Sequence, residues 1–149
     1  MERILVLNGP NLNLLGERDP DHYGSKTLDK INDDMAHFAA RLSVELVFLQ
    51  SNHEGDIIDM IHAERKSCQG VIINPGALTH YSYAIRDALE TVDIPTVEVH
   101  LSDIYAREEW RRVSVISPVA WKSIVGKRPA GYTQALRELV EYLRSATKQ

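Results

Sequence analysis

The sequence predicts a three-layer α/β domain, flavodoxin-like, with a five-stranded parallel sheet in the order 2-1-3-4-5. Five short runs rich in Val, Ile and Leu punctuate the chain, and stretches with helical spacing of apolar residues separate them. Several of the runs are continuously apolar rather than alternating, which is how strands read when helices cover both faces of a sheet. A length of 149 residues, 44% hydrophobic and 26% charged, suits one domain spanning residues 1–149.

The first strand is expected over residues 4–7, too short an apolar run for a signal peptide. Residues 9–24 follow, a long βα connection of the kind that forms lids and binding loops. Its competing reading is a surface excursion, with Arg18 and Asp19 solvated and Tyr23 packed against the body. Leu28, Ile31, Met35, Phe38, Ala39 and Leu42 then fall on one helical stripe, with Thr27 or Ser25 available as its cap. A second strand over residues 44–49 leads through Gln50-Ser51-Asn52-His53-Glu54-Gly55 to a helix marked by Ile57, Ile58 and Ile61.

The third strand, residues 71–73, runs into Asn74-Pro75-Gly76-Ala77-Leu78-Thr79-His80. That string reads as a tight turn and a helix start capped by Thr79, whose free N–H groups favour an anion. Ala84, Ile85, Ala88 and Leu89 mark the helix itself. A fourth strand, residues 96–99, ends at His100. Residues 103–121 carry the weakest pattern. A fifth strand is expected over residues 123–125, and Leu136, Leu139, Val140 and Leu143 mark a last helix, with fraying expected after Arg144.

Composition excludes several function classes. The net charge is −4, and no Lys/Arg block suggests a groove for nucleic acid. No apolar run approaches the roughly 20 residues of a membrane span, so cytoplasmic residence without a membrane partner is expected. Cys68 is the sole cysteine and has neither a disulfide partner nor a CxxC companion. GxGxxG, GxxxxGK[ST] and GxSxG are absent, and the six histidines lack HExxH spacing, so no metal site is expected. His53 and His62 read as surface residues.

In open α/β sheets, ligands bind beyond the carboxyl ends of the strands, beside the point where strand order reverses. Asn8-Gly9-Pro10-Asn11, Asn74-Pro75-Gly76 and His100-Leu101-Ser102 occupy those ends. Histidine is the usual proton carrier near neutral pH, although a lone histidine at a strand tip is more often structural. Arg107, Arg111 and Arg112 with Glu108 and Glu109 read equally well as a solvated face.

Taken together, these strings resemble the type II 3-dehydroquinate dehydratase family, the type II dehydroquinases. Asn8-Gly9-Pro10-Asn11-Leu12, Leu15-Gly16-Glu17-Arg18-Asp19-Pro20-Asp21-His22-Tyr23-Gly24 and Glu98-Val99-His100-Leu101-Ser102 carry the resemblance. So do Arg86-Asp87 and Ala106-Arg107-Glu108-Glu109-Trp110-Arg111, and together these strings span nearly the whole chain. The resemblance implies a hydro-lyase that converts 3-dehydroquinate to 3-dehydroshikimate through an enolate, without cofactor or Schiff base, in the shikimate pathway of aromatic amino-acid biosynthesis or in quinate catabolism.

Carried onto this chain, Tyr23 is the base, Arg18 stabilises anionic states beside it, and His100 protonates the departing hydroxyl. Asn11 helps hold a water at the enolate oxygen. Asn74 binds substrate nearby, His80 and Arg111 grip its hydroxyls, and the backbone of Leu101 and Ser102 receives its carboxylate. Asp87 matches a residue that reaches a neighbouring subunit, in a family that assembles trimers into a dodecamer. Asp103 and Trp110 depart from the family pattern, as does the turn Gly126-Lys127-Arg128-Pro129, where the family is glycine-rich. The alternative from another class is a noncatalytic flavodoxin-like module that binds a small anion.

A tyrosine base sets a physical condition. A phenol with a reference pKa near 10 needs about 3 to 4 kcal/mol of stabilisation of its anion to act near pH 7. A guanidinium about 4 Å away supplies roughly 1 kcal/mol in bulk water but about 4 at an effective dielectric near 20. The residue 9–24 loop, carrying both Arg18 and Tyr23, therefore has a purpose as a lid whose closure excludes water and brings the Arg18 charge to the phenol.

Overall fold

The computed structural model describes residues 1–147. The five strands are β1 (Arg3–Asn8), β2 (Glu45–Gln50), β3 (Gly70–Asn74), β4 (Thr96–His100) and β5 (Lys122–Val125). They form one wholly parallel sheet in the order β2-β1-β3-β4-β5. The five helices are α1 (Pro20–Tyr23), α2 (Leu28–Leu42), α3 (Glu54–Glu64), α4 (Tyr83–Val92) and α5 (Ala130–Thr147). Each anticipated strand is present within a residue or two of its expected bounds. No described helix is long and apolar enough to cross a membrane.

Successive residues of a strand face opposite sides of the sheet, and the two faces build two apolar layers. Ile4, Val6, Ile72, Val97 and Val99 face α2 and α5, where they meet Met35, Leu136 and Leu139. Leu5, Leu7, Val71 and Ile73 face the opposite way, onto Ile57, Ile61, Ile85 and Leu89 of α3 and α4. The same parity puts Glu98 and His100, two residues apart, on one face of β4. All five β4 residues are buried, so the polar-to-apolar alternation there separates two interior faces rather than core from solvent.

Two local expectations need correction. Thr79 does not cap a helix: Gly76–His80 is a 3-10 turn, and α4 is capped by Ser82, whose Oγ accepts from the Ile85 N–H at 3.1 Å. The Thr79 hydroxyl instead faces inward and donates to Glu98. Helical structure continues past Arg144 to Thr147, residues 148 and 149 lying outside the described residues, and Arg144 itself is tied down. Its guanidinium donates to both Glu2 carboxylate oxygens, at 2.7 and 3.1 Å, and to the Leu42 carbonyl at 2.6 Å.

Those bonds hold the Glu2 carboxyl down at about 2, below its ordinary 4.5. A carboxyl depressed in the folded state contributes stability that is complete above its ordinary value and is lost as pH falls toward the folded one. Arg144→Ala is therefore expected to be less stable than wild type at pH 6, with the gap closing between about pH 4.5 and pH 2. Denaturant titrations across that range check it.

Candidate active site

β1 is where strand order reverses, since β2 lies on one side of it and β3 on the other. At this switch point the last residues of β1 and β3, Asn8 and Asn74, are register partners. Both are buried, so their amides need partners inside the protein. Tyr132 of α5 provides them: its hydroxyl donates to Asn8 Oδ1 at 2.6 Å and accepts from Asn74 Nδ2 at 3.0 Å. Asn74 Oδ1 in turn accepts from the Gly76 N–H at 3.1 Å. Burial raises the Tyr132 phenol well above its ordinary range, so it remains a neutral donor.

Removing that hydroxyl leaves two buried amide groups unpartnered. Tyr132→Phe is expected to cost about 1–3 kcal/mol of stability, read by denaturant unfolding.

The loops beyond β1 and β3 are pressed together. A Cβ on Gly9 would stand 2.4 Å from the Pro75 carbonyl oxygen, and Gly76 has a φ of 60° with the Pro10 carbonyl 2.9 Å from where its Cβ would be. Only glycine fits either place. Asn11 adopts a left-handed φ of 71°, and its N–H donates to Asn52 Oδ1 at 3.0 Å. The loop after β2 thus supports the loop after β1.

A cavity of about 180 Å³ opens above these loops. Nine of the ten anticipated site residues line it: Asn11, Arg18, Tyr23, Asn74, His80, His100, Leu101, Ser102 and Arg111. Asp87 does not; it lies exposed on α4. Asp19 is exposed and Tyr23 packed, as in the surface-excursion reading, but Arg18 is turned onto the Tyr23 ring at the cavity, Leu12 and Leu15 are buried, and α1 is capped by Asp19, whose side chain accepts from the Asp21 N–H.

Sequence reading assigned the cation beside the phenol to Arg18, and the geometry divides that role. The Arg18 guanidinium carbon stands 3.8 Å from the centroid of the Tyr23 ring, on its face. The guanidinium on the phenol oxygen belongs to Arg107, whose Nη1 donates to Tyr23 Oη at 2.6 Å and to Ser102 Oγ at 3.3 Å. Arg107 lies in the weakly patterned region between β4 and β5, which folds into short 3-10 turns. Its sequence neighbours Glu108, Arg111 and Arg112 disguised it as part of a charged surface.

On the opposite wall, His100 Nε2 lies 2.6 Å from Glu98 Oε2. Burial alone would raise the Glu98 carboxyl, but hydrogen bonds and charge from His100, with the Thr79 and Ser114 hydroxyls, outweigh it and hold the group below its ordinary range. Glu98 is therefore an anion that accepts Nε2–H and leaves His100 Nδ1 as the nitrogen without a partner among the described residues. Glu98 and Ser114 were not singled out by sequence; the i, i+2 spacing of Glu98 and His100 was the available signal.

His80 Nδ1 lies 2.7 Å from the Val113 carbonyl, an acceptor only, so Nδ1 carries the hydrogen. Burial pushes this imidazole below its ordinary value. A neutral His80 then offers Nε2 as an acceptor. Its ring packs edge-on to Trp110, with centroids 5.2 Å apart. Among the described residues no lysine lines the cavity, and no group of His, Cys, Asp or Glu could hold a metal ion.

Known proteins carry the same arrangement of sequence and fold. The sequence profile described as "Dehydroquinase class II" matches residues 2–140. The 3-dehydroquinate dehydratase of Bacillus subtilis (strain 168) is 54% identical over 140 residues, covering 94% of this chain and 95% of the relative. That of Halothermothrix orenii is 50% identical over 147 residues, covering 99% of each. The crystal structure of type II dehydroquinase from Butyrivibrio crossotus DSM 2876 superposes with a TM-score of 0.91 at 45% identity, covering 93% of this chain and 97% of that one. With a profile matched over residues 2–140 and relatives 50–54% identical over 94–99% of its length, the chain belongs to the class II dehydroquinase family.

Proposed function

We propose that the protein is a type II 3-dehydroquinate dehydratase that eliminates water from 3-dehydroquinate by way of an enolate, in the shikimate pathway or in quinate catabolism. The observation that carries the mechanism is the pairing of a buried phenol with a guanidinium on its oxygen, across one cavity from a histidine backed by a carboxylate. A small-anion-binding module would need neither the phenol nor the carboxylate behind the histidine.

In this reading Tyr23, as phenolate, removes the proton next to the ketone. Arg107 stabilises the charge at the phenol oxygen, and Arg18 adds a second positive charge over the ring. The developing enolate oxygen is met by a water held from Asn11, an interaction stronger in the transition state than in the substrate complex. A doubly protonated His100 hands its Nδ1 proton to the departing hydroxyl and finishes neutral, with Nε2–H still on Glu98. His80 and Arg111 hold substrate hydroxyls, Asn74 binds alongside, and the backbone at Leu101 and Ser102 receives the carboxylate. In this reading the base, the acid and the oxyanion donors are all supplied by the chain's own residues and a water.

The test is direct. Purified, metal-free protein given 3-dehydroquinate is expected to develop enone absorbance, and borohydride is expected not to inactivate it, because no lysine imine forms. Absence of the signal returns the reading to an anion-binding module.

The whole chain acts as one catalytic domain, at home in the cytoplasm and assembled from trimers into a dodecamer. Asp87 supports the assembly: it is exposed on α4 and away from its own cavity, as a residue serving a neighbour's site must be. Tyr81 and Tyr83, 63% and 65% exposed beside the start of α4, add aromatic surface that assembly would cover. Sedimentation velocity reads the mass.

A further inference from the structure

The turn from β5 into α5 touches both halves of the catalytic machinery. Its backbone is fastened to the tip of β4: the Gly126 N–H donates to the carbonyls of His100 at 3.2 Å and Ser102 at 3.1 Å, and the Arg128 N–H donates to the Leu101 carbonyl at 3.0 Å. Its side chains reach the opposite way, to α1. Arg128 Nη2 donates to the Asp21 carbonyl at 3.1 Å, and the Pro129 ring lies where a Cβ on Gly24 would come within 3.2 Å of it. Asp21 and Gly24 bracket Tyr23. Asp21 belongs to a single-turn helix whose carbonyls have few partners of their own, so a cationic donor there is well matched.

Arg128 also stands where an arginine is out of place. Its φ is 54°, in the left-handed region that glycine enters freely and residues bearing a Cβ enter at a conformational cost. A side chain kept in a strained position has a use elsewhere, and the one polar side-chain contact recorded for it is to α1.

Resting on the reading of Tyr23 as the base, we propose that Arg128 is a positioning residue that latches α1 to the β4 tip and so sets the place of the Tyr23 phenol relative to His100. It does not line the cavity. Its effect passes through the backbone of α1.

Arg128→Gly removes the latch and the backbone strain together, so folding is preserved and the melting temperature is expected to equal or exceed that of wild type. Two measurements then decide. Trypsin cleavage after Arg18, followed by mass spectrometry on the folded protein, is expected to quicken about three- to tenfold, the range for losing one hydrogen bond. kcat/KM for 3-dehydroquinate is expected to fall by a similar factor, with kcat and KM both moving, as when a lid loses its closed position. Arg128→Lys, which can still donate to the Asp21 carbonyl, is expected to recover most of both losses. Cleavage at the wild-type rate in Arg128→Gly overturns the latch, whatever happens to turnover. Faster cleavage with unchanged kcat/KM overturns the positioning role. Should wild type itself fail to convert 3-dehydroquinate, the functional reading fails by that result alone, and the cleavage comparison still judges the latch.

Discussion

Tyr23→Phe is expected to lower kcat by about 10²–10⁴-fold, the span associated with a positioned general base, while the protein remains folded. The ring of Tyr23 is 9% exposed and belongs to the apolar layer formed with α2 and α5, so phenylalanine preserves its packing. Only the oxygen that meets Arg107 is lost. Arg107 keeps its bond to Ser102 and is not left wholly unpaired. Enone formation measured beside circular dichroism and thermal melting separates chemistry from folding. Retention of more than about a tenth of the wild-type rate removes Tyr23 from the base role, because loss of the proton acceptor cannot be so mild.

Arg107→Ala is expected to be nearly as damaging, at about 10²–10³-fold in kcat. Its guanidinium is the donor on the phenol oxygen, and losing a preorganised donor at a reacting oxygen costs about 10²–10³-fold in kcat. Without it, the phenol oxygen loses the donor that fixes its place in the cavity. Arg18→Ala is expected to lower kcat by a smaller factor, since a cation over an aromatic face contributes about 0.5–2 kcal/mol. The comparison is the informative measurement. If loss of Arg18 proves the worse of the two, the guanidinium on the phenol oxygen is not the one that chiefly stabilises the base.

Legibility differed from place to place along the chain. The strands were readable because central parallel strands are covered on both faces and their apolar runs are unbroken, as in Val71-Ile72-Ile73. The helices α2 and α5 were readable because each presents one stripe to one sheet face. The turn at Thr79 was misread because Thr and Ser cap helices equally well in sequence. Which hydroxyl caps and which turns inward depends on the buried Glu98, nineteen residues away. Most of the site residues were legible only as a pattern of strings, since nothing local distinguishes Asn74 or His100 from ordinary strand-end polar residues. Arg107 was hidden by its charged neighbours, and Tyr132 by its place in a helix that otherwise reads as plain core. Both owe their roles to contacts across long separations in the chain, to Tyr23 and to Asn8.

The bonds joining Asn8, Tyr132 and Asn74 cross-link the carboxyl ends of the interior strands β1 and β3 to α5, whereas the base is carried by a single helical turn outside the sheet. Amide protons of β1 and β3 should therefore exchange with deuterated water only through global unfolding, at rates set by the total stability, while those of residues 16–24 exchange through brief local opening. A bound substrate or inhibitor will slow the second group far more than the first. The difference between the two groups then reports occupancy of the cavity without any turnover being measured.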